Sequence, residues 1–377
     1  MRVDLLITEI ETGGAERCCV ELAIYLARRG VQVRVISVGP APLGSGEGDA
    51  RGLLWRRLQG VASELGGGVG RGELEVHFLN ASKPWHWFRA KRGLERLLSE
   101  RRPEVAQGFL WHANVLGGVV YGGAGVNWVA GVRVVEPRRW RAWFGRYWHR
   151  PARCVVCVSE EVAAWSARAE GVTLEKLLVI PNGIELPEWE KDWGVGGGGR
   201  LIFVGRLEVQ KGVDLLLREV ERILGALPGY RLELVGDGSW RGAWERWREG
   251  SEYGDRVEIM GKRGDIMERM RGADLLLLPT RYEGMPNVVL EAMSVGLPVA
   301  TMRVEGVSAL LGEGLGAQSV EREDWDGWVR LVIDLGLDRG TLQRLGKANR
   351  RRVAEHFVLS DQLAKYETLY RELACRS

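Results

Sequence analysis

Val3-Asp4-Leu5-Leu6-Ile7, then Thr12-Gly13-Gly14, then AERCCVELAIYLARR (15–29) and VQVRVISV (31–38) are the stretches whose reading decides the class of fold. Residues 3–7 form the short apolar run of a buried strand, because a parallel strand is covered on both faces. Thr12-Gly13-Gly14 reads as a tight turn, since glycine enters backbone conformations that other residues avoid. Residues 15–29 place Cys19, Ala23 and Leu26 on one helical face, and residues 31–38 return to a β-branched run. Strand, turn, helix and strand make a parallel βαβ unit, which predicts an α/β protein.

Outward from that unit the alternation runs almost from end to end. Strands are expected at residues 74–79, 105–109, 126–132, 154–158 and 177–180, and again at 201–205, 232–235, 257–260, 275–278 and 298–300. The closing helices are expected over 342–356 and 361–373. Between the two series, after Pro181-Asn182-Gly183, residues 189–200 hold Gly194 and Gly196 to Gly199 and read as a flexible connector. Residues 39–52 and 66–72 read as surface loops. A chain of 377 residues exceeds one ordinary core, so two α/β halves are expected.

Composition narrows the function classes. Hydrophobic residues at 45% and charged residues at 27% exclude a wholly disordered or collagen-like chain. A formal charge of +3, from 53 basic and 50 acidic residues, argues against a nucleic-acid binder working through bulk charge. The charge is uneven, however: residues 51–150 carry 17 Lys and Arg against 7 Asp and Glu. Five cysteines make no disulfide framework, and their odd number suits a reducing compartment. The apolar run of MRVDLLITEI is too short before Glu9 for a signal peptide, so a cytoplasmic location is expected. Residues 109–132 hold no charge, but Gly117-Gly118, Gly122-Gly123, His112, Asn114 and Asn127 interrupt them, and strand, loop, helix and strand fit better than a membrane span.

The chemistry concentrates in the second half. Gly205-Arg206-Leu207-Glu208-Val209-Gln210-Lys211-Gly212 follows an expected strand and opens a helix. Such a turn directs backbone N–H groups and the positive end of the helix dipole at one point, where Arg206 and Lys211 add two cations, and the point suits a diphosphate. Pro279-Thr280-Arg281-Tyr282-Glu283-Gly284-Met285-Pro286-Asn287-Val288-Val289-Leu290-Glu291-Ala292-Met293 follows the run 275–278, at a strand's carboxyl end where open α/β sheets bind ligands. Glu283 in the loop and Glu291 on a helix beginning near Pro286 can grip hydroxyl groups at opposite ends of an extended ligand, about 12 Å apart if every step between them were helical. The amides of Met285 to Val288 are expected to receive an anion.

These motifs, in order, resemble glycosyltransferase family 4, the retaining nucleotide-sugar transferases of GT-B fold. The resemblance rests on Arg206 and Lys211, on EGMPNVVLEAMSVGLPVA (283–300), and on TGGAER (12–17), CVSEEV (157–162), VIPNGIE (179–185), VGDG (235–238) and FVLSDQLAKYETLY (357–370). It implies two Rossmann-like domains with parallel sheets facing a central cleft: an acceptor domain over 1–186, a donor domain over 187–357 with a linker near 187–200, and a helix over 358–377 crossing back to the first domain. It implies that Arg206 and Lys211 bind the diphosphate of a UDP- or GDP-sugar, that Glu283 holds sugar hydroxyls, that Glu291 holds the ribose, and that Met285, Pro286, Asn287 and Val288 receive phosphate oxygens. Gly261, Lys262 and Arg263 would meet the base, His112 would lie near the donor sugar and acceptor, and Gly13 and Gly14 would let the first loop approach the same place. The partners implied are a nucleotide-sugar and a glycan or lipid-linked acceptor, with no nucleic acid, no cofactor and no metal. Retention is compatible with a front-face route, in which the leaving phosphate takes the acceptor proton, and with a short-lived covalent intermediate.

Several segments keep two readings. Asp324-Trp325-Asp326 reads as a helix start rather than a metal-binding pair. Cys154 and Cys157 fall in a strand with no second pair, which argues against zinc or redox chemistry. Arg133, just after a strand, is a weaker candidate for the same cleft. Residues 84–92 and 138–150 interleave Trp and Phe with Arg and Lys, as helices on an anionic membrane surface do and as core-packing helices in an Arg- and Trp-rich chain also do. A hydrolase or epimerase on nucleotide sugars and a catalytically silent membrane-associated scaffold are the alternatives to a transferase. A dehydrogenase is excluded by the absence of Gly-x-Gly-x-x-Gly after the first strand.

Overall fold

The computed structural model describes residues 1–11, 13–42, 52–65, 73–136, 138–189, 191, 193 and 199–375. Thr12, most of the loop expected at 39–52, the loop at 66–72 and most of the connector at 189–200 lie outside the described residues. The chain divides into two compact units, Met1–Asn182 with Ser360–Ser377, and Gly183–Leu359. The boundary after Asn182 falls ahead of the expected one after residue 186, and the C-terminal helix belongs to the first unit.

In the first unit, the described strands are β1 (Arg2–Ile7), β2 (Gln32–Ser37), β3 (Leu74–Phe78), β4 (Val105–Phe109), β5 (Asn127–Val132), β6 (Cys154–Cys157) and β7 (Leu177–Val179). Their order is β3-β2-β1-β4-β5-β6-β7, and every pairing is parallel. The helices are α1 (Gly14–Arg28), α2 (Leu53–Glu64), α3 (Trp87–Glu100), α4 (Trp111–Gly117), α5 (Arg139–His149) and α6 (Glu160–Trp165). Strand order reverses direction between β1 and β4, and in such sheets the loops beyond the carboxyl ends at the reversal hold the ligand.

β4 and β5 are buried along their whole length, as strands covered on both faces must be. The uncharged stretch 109–132 becomes the end of β4, α4, a π-turn over Gly118–Gly122 and β5, so the expected loop shrinks to Leu110. No described helix is long and apolar enough to cross a membrane. Arg34 and Asp4 are charged exceptions within the sheet, Arg34 buried at 2% exposure in the middle of β2. Its registered neighbour on β1 is Asp4, which it holds through two bonds of 2.8 and 2.6 Å, while its remaining donors reach the carbonyls of Leu97 and Arg101. Tyr121 donates its hydroxyl to Asp4 Oδ2 at 2.6 Å, which completes the network.

In the second unit the described strands are β8 (Arg200–Val204), β9 (Arg231–Val235), β10 (Val257–Gly261), β11 (Leu275–Leu278), β12 (Val299–Met302) and β13 (Ser319–Val320), in the parallel order β10-β9-β8-β11-β12-β13. The helices are α7 (Val213–Ala226), α8 (Arg241–Gly250), α9 (Ile266–Gly272), α10 (Asn287–Ser294), α11 (Val307–Leu311), α12 (Trp325–Leu337) and α13 (Arg339–His356). Here the reversal lies between β8 and β11, so the loops after these two strands are the candidate ligand-binding pair. α14 (Leu359–Cys375) then packs on the first unit: Tyr370 donates to Gln107 Oε1 at 2.6 Å, and Asn127 Nδ2 reaches the carbonyl of Leu373 at 2.9 Å.

Two segments of ambiguous reading resolve as helix and strand. Asp324 caps α12, its carboxylate accepting from the amide of Gly327 at 2.9 Å. Cys154 and Cys157 are free and buried in β6, and burial pushes the Cys154 thiol up to about 11.

Candidate active site

The loops after β8 and β11 are drawn together by glycine. Gly212 sits at φ 72°, and a Cβ there would lie 1.8 Å from the carbonyl oxygen of Pro279, so only glycine lets the two backbones meet. Gly236, at φ 141°, allows the same approach between the loop after β9 and Gly205. Five backbone N–H groups of the β8 loop are then taken up by backbone carbonyls. Those of Gly205 and Leu207 donate to Val235 and Asp237, and those of Glu208, Lys211 and Gly212 donate to Arg206, Glu208 and Val209. These five amides therefore do not point at a ligand as expected, and the loop offers its cationic side chains instead.

Lys211 Nζ lies 2.5 Å from Glu283 Oε1, and Thr280 donates its hydroxyl to the same oxygen at 2.9 Å. Both partners are largely buried, with side-chain exposures of 15% and 9%. Gln210, which the sequence did not single out, stitches the two loops. Its carbonyl accepts from the amide of Arg281 at 2.9 Å and lies 3.1 Å from the Thr280 hydroxyl, whose single proton it shares with Glu283, and its side chain joins the Arg206 guanidinium at 2.7 Å to the carbonyl of Tyr282 at 3.2 Å. Arg281 braces α7 through a two-pronged pair with Asp214 at 2.7 and 2.8 Å. Glu305, also missed, accepts from the Glu283 amide at 3.4 Å and is held by Arg322 at 2.5 Å.

From this platform the chain enters α10. Its N-cap is Pro286, which gives no side-chain cap, so the first turn of the helix begins in the chain shortly after Glu283. Pro286 has no amide, which removes one of the expected anion donors in Met285 to Val288; Met285 and Pro286 are buried, Asn287 and Val288 half-buried. Glu291 is half-buried on α10, and because the helix begins only at Asn287, the helical rise leading to it is about 6 Å rather than 12 Å. At the end of β10, Gly261 adopts φ 67° and its carbonyl accepts from the Gly236 amide at 2.8 Å. Lys262 and Arg263 are exposed; Arg263 pairs with Asp265 at 2.9 and 3.0 Å, and that bond is the main reason the Asp265 carboxyl lies far below its usual range. Among the described residues no group of three or more His, Cys, Asp or Glu is placed to hold a metal ion.

The first unit carries the other expected residues. Gly13 is the N-cap of α1, in extended backbone, and a Cβ there would lie 2.2 Å from a carboxylate oxygen of Glu16, so the space is filled from the first turn of α1. Burial is the main cause of a raised Glu16 pKa, with Glu9 adding to it and the bond to its own backbone and Arg133 opposing it. Gly14 is exposed as the first residue of α1. Leu110, between β4 and α4, holds φ 73° and ψ 163°, a region that is essentially glycine's, and two residues later His112 emerges exposed. The packing around its ring and the nearby Arg141 lower the His112 pKa, against Glu136. Arg133 turns to Tyr366 at 3.4 Å and to Asn182, within its own unit.

Residues 12–188 match the family described as Glycosyltransferase Family 4, and residues 198–338 the one described as Glycosyl transferases group 1. The chain belongs to the group 1, family 4 glycosyltransferases. Its likeness to solved structures of the GT-B fold spans nearly the whole chain. HepE of Anabaena, solved with UDP, superposes with a TM-score of 0.79 at 17% identity over 98% of this chain and 99% of that one. Sucrose-phosphate synthase of Thermosynechococcus elongatus gives 0.81 at 18% identity over the full length of both. In sequence, this glycosyltransferase is similar to the UDP-Gal:alpha-D-GlcNAc-diphosphoundecaprenol alpha-1,3-galactosyltransferase of Escherichia coli, 25% identical over 58% of this chain and 61% of that protein. It is also similar to glycogen synthase of Mycobacterium tuberculosis, at 26% over 61% and 56%. The chain thus matches about three fifths of the length of these curated relatives.

Proposed function

We propose that this glycosyltransferase moves a sugar from a UDP- or GDP-linked donor to a hydroxyl of a glycan or lipid-linked acceptor, with retention of configuration and without a metal. The observation that carries the reading is the Lys211–Glu283 contact between the loops after β8 and β11, at the reversal point of the second sheet and just ahead of α10 in the chain. Lys211 and Arg206 supply the positive charge that a departing diphosphate needs, and the helix start adds partial charge without any rearrangement. Glu283, whose position Lys211 and Thr280 fix, takes the donor sugar's hydroxyls, and Glu291 takes the ribose. The bond from the anomeric carbon to the phosphate oxygen breaks, the acceptor oxygen bonds to the same face, and its proton passes to the phosphate. Gly261, Lys262 and Arg263 line the base, His112 serves the reaction near the donor sugar and acceptor, and Gly13 and Gly14 serve donor binding.

The uridine base is supported by HepE, solved with UDP-glucose, and by the UDP-galactose named for the Escherichia coli relative. A lipid diphosphate acceptor is supported by that relative's name, and would place the enzyme at the inner face of the membrane. The test is turnover of radiolabelled UDP- and GDP-sugars in the presence of a lipid extract. Label entering the lipid phase, with an anomeric proton coupling that matches the donor, supports the reading. Release of free sugar at the same rate with and without lipid marks a hydrolase instead.

A further inference from the structure

The two aromatic and basic segments occupy one layer of the first unit. The chain adds β2 and β3 on one side of β1 and β4, β5 and β6 on the other, so right-handed crossovers put α3, α4 and α5 on the face opposite α1 and α2. α4 packs against α5, and the π-turn that follows α4 touches both α3 and α5. On α5, Ala142, Gly145 and His149 face inward, with His149 Nε2 bound to buried Glu170 at 3.1 Å. Trp140, Trp143, Phe144 and Tyr147 face outward at 53, 50, 40 and 55% exposure. At the entry to α3, Trp85 and Phe88 are 70 and 74% exposed. The core-packing reading therefore fails for these side chains.

Charge decides what covers them. Residues 138–150 hold five arginines and residues 83–92 four cations, with no acidic residue in either stretch. Arg138, Arg146 and Arg150 are exposed around the aromatics. Cations flanking indole and phenyl rings on convex helix faces match a phospholipid headgroup layer over an acyl boundary. We propose that the outer faces of α5 and of the entry to α3 dock this unit on a bilayer containing anionic phospholipid. The aromatic ridge also leads to His112: Trp143 stacks on Phe144, Phe144 on Trp140, Trp140 on Trp111, and Trp111 on His112, each edge to face at 5.0 to 6.2 Å. Resting on the function proposed above, this deepens it: a lipid-linked acceptor lying in that bilayer meets His112 at the end of the ridge. The docking itself requires no transfer.

The test is flotation of the full chain with phosphatidylcholine vesicles, with and without phosphatidylglycerol. The wild type is expected to float with the anionic vesicles at least about tenfold more than with the neutral ones, and less so in high salt. Trp143→Ser with Phe144→Ser and Tyr147→Ser, and separately Arg138→Gln with Arg146→Gln and Arg150→Gln, are expected to lose that recruitment while melting and binding UDP as the wild type does. Wild type that ignores anionic vesicles overturns the proposal, as does aromatic-substituted protein that floats equally well. So does self-association of the wild type that these substitutions abolish while vesicles recruit nothing, because a second copy then covers the face. The vesicles contain neither donor nor acceptor, so a failure here leaves the transferase reading to its own test.

Discussion

Two ion pairs within the sheets and loops of this chain look alike and differ in what surrounds them. Arg34 and Asp4 are 2% and 0% exposed, and the guanidinium also bonds two backbone carbonyls while the carboxylate takes a tyrosine hydroxyl. Lys211 and Glu283 retain some exposure and lie on loops at a strand reversal, Glu283 shortly before a helix start without a side-chain cap. The first pair is saturated and therefore structural. The second is partly exposed and joins two loops at the strand reversal, and that difference in surroundings separates a core network from a candidate site.

The largest expected effect comes from breaking the saturated pair. Arg34→Ala leaves Asp4 buried and uncompensated, costs about 3–5 kcal/mol and lowers the melting temperature by roughly 6–20 °C, with UDP affinity of the folded fraction unchanged. Removing both charges, as in Asp4→Leu with Arg34→Met, is expected to recover most of that loss in a thermal melt. Lys211→Ala comes next: kcat falls on the order of 10²–10³-fold, while melting shifts less than in Arg34→Ala. Here replacing the partner as well, with Glu283→Gln, restores nothing in a turnover assay. If the double change rescued activity, the two pairs would be of one kind.

The smallest effect belongs to His112. Its pKa is depressed chiefly by the packing around the ring, so the neutral ring dominates at pH 7, and kcat/KM is expected to fall only as pH drops below the ordinary value of 6.5. His112→Ala removes that limb of the pH profile. The same depression makes the unfolded chain bind the proton more readily, so stability declines as pH falls through the same window, and melting curves at several pH values check the sign.

Much of this was legible in residue order. The 3–38 stretch carries the parallel βαβ unit by itself, and the run 275–278 followed by Glu283 and Glu291 marked the loop that the Lys211–Glu283 contact ties to the loop after β8. Arg34 was not legible, because a charged residue inside a strand reads as outward-facing until its registered neighbour is known. The β8 loop misled for a related reason: whether its amides are free depends on the carbonyls of Val235 and Asp237, some thirty residues away. Gln210, Thr280 and Glu305 act by bridging loops distant in sequence, and no spacing rule marks such a bridge. β13 is two residues long and carries too little pattern to find. The outward set of Trp143, Phe144 and Tyr147 could be told from a core-packing one only by the helix's rotation.

The measurement that tests the central claim most directly is calorimetric titration of UDP and GDP into the wild type, Lys211→Ala and Arg34→Ala. The account predicts that one diphosphate binds the wild type and Arg34→Ala alike at a temperature where both are folded, and binds Lys211→Ala at least about tenfold more weakly. Equal affinity for wild type and Lys211→Ala would contradict it.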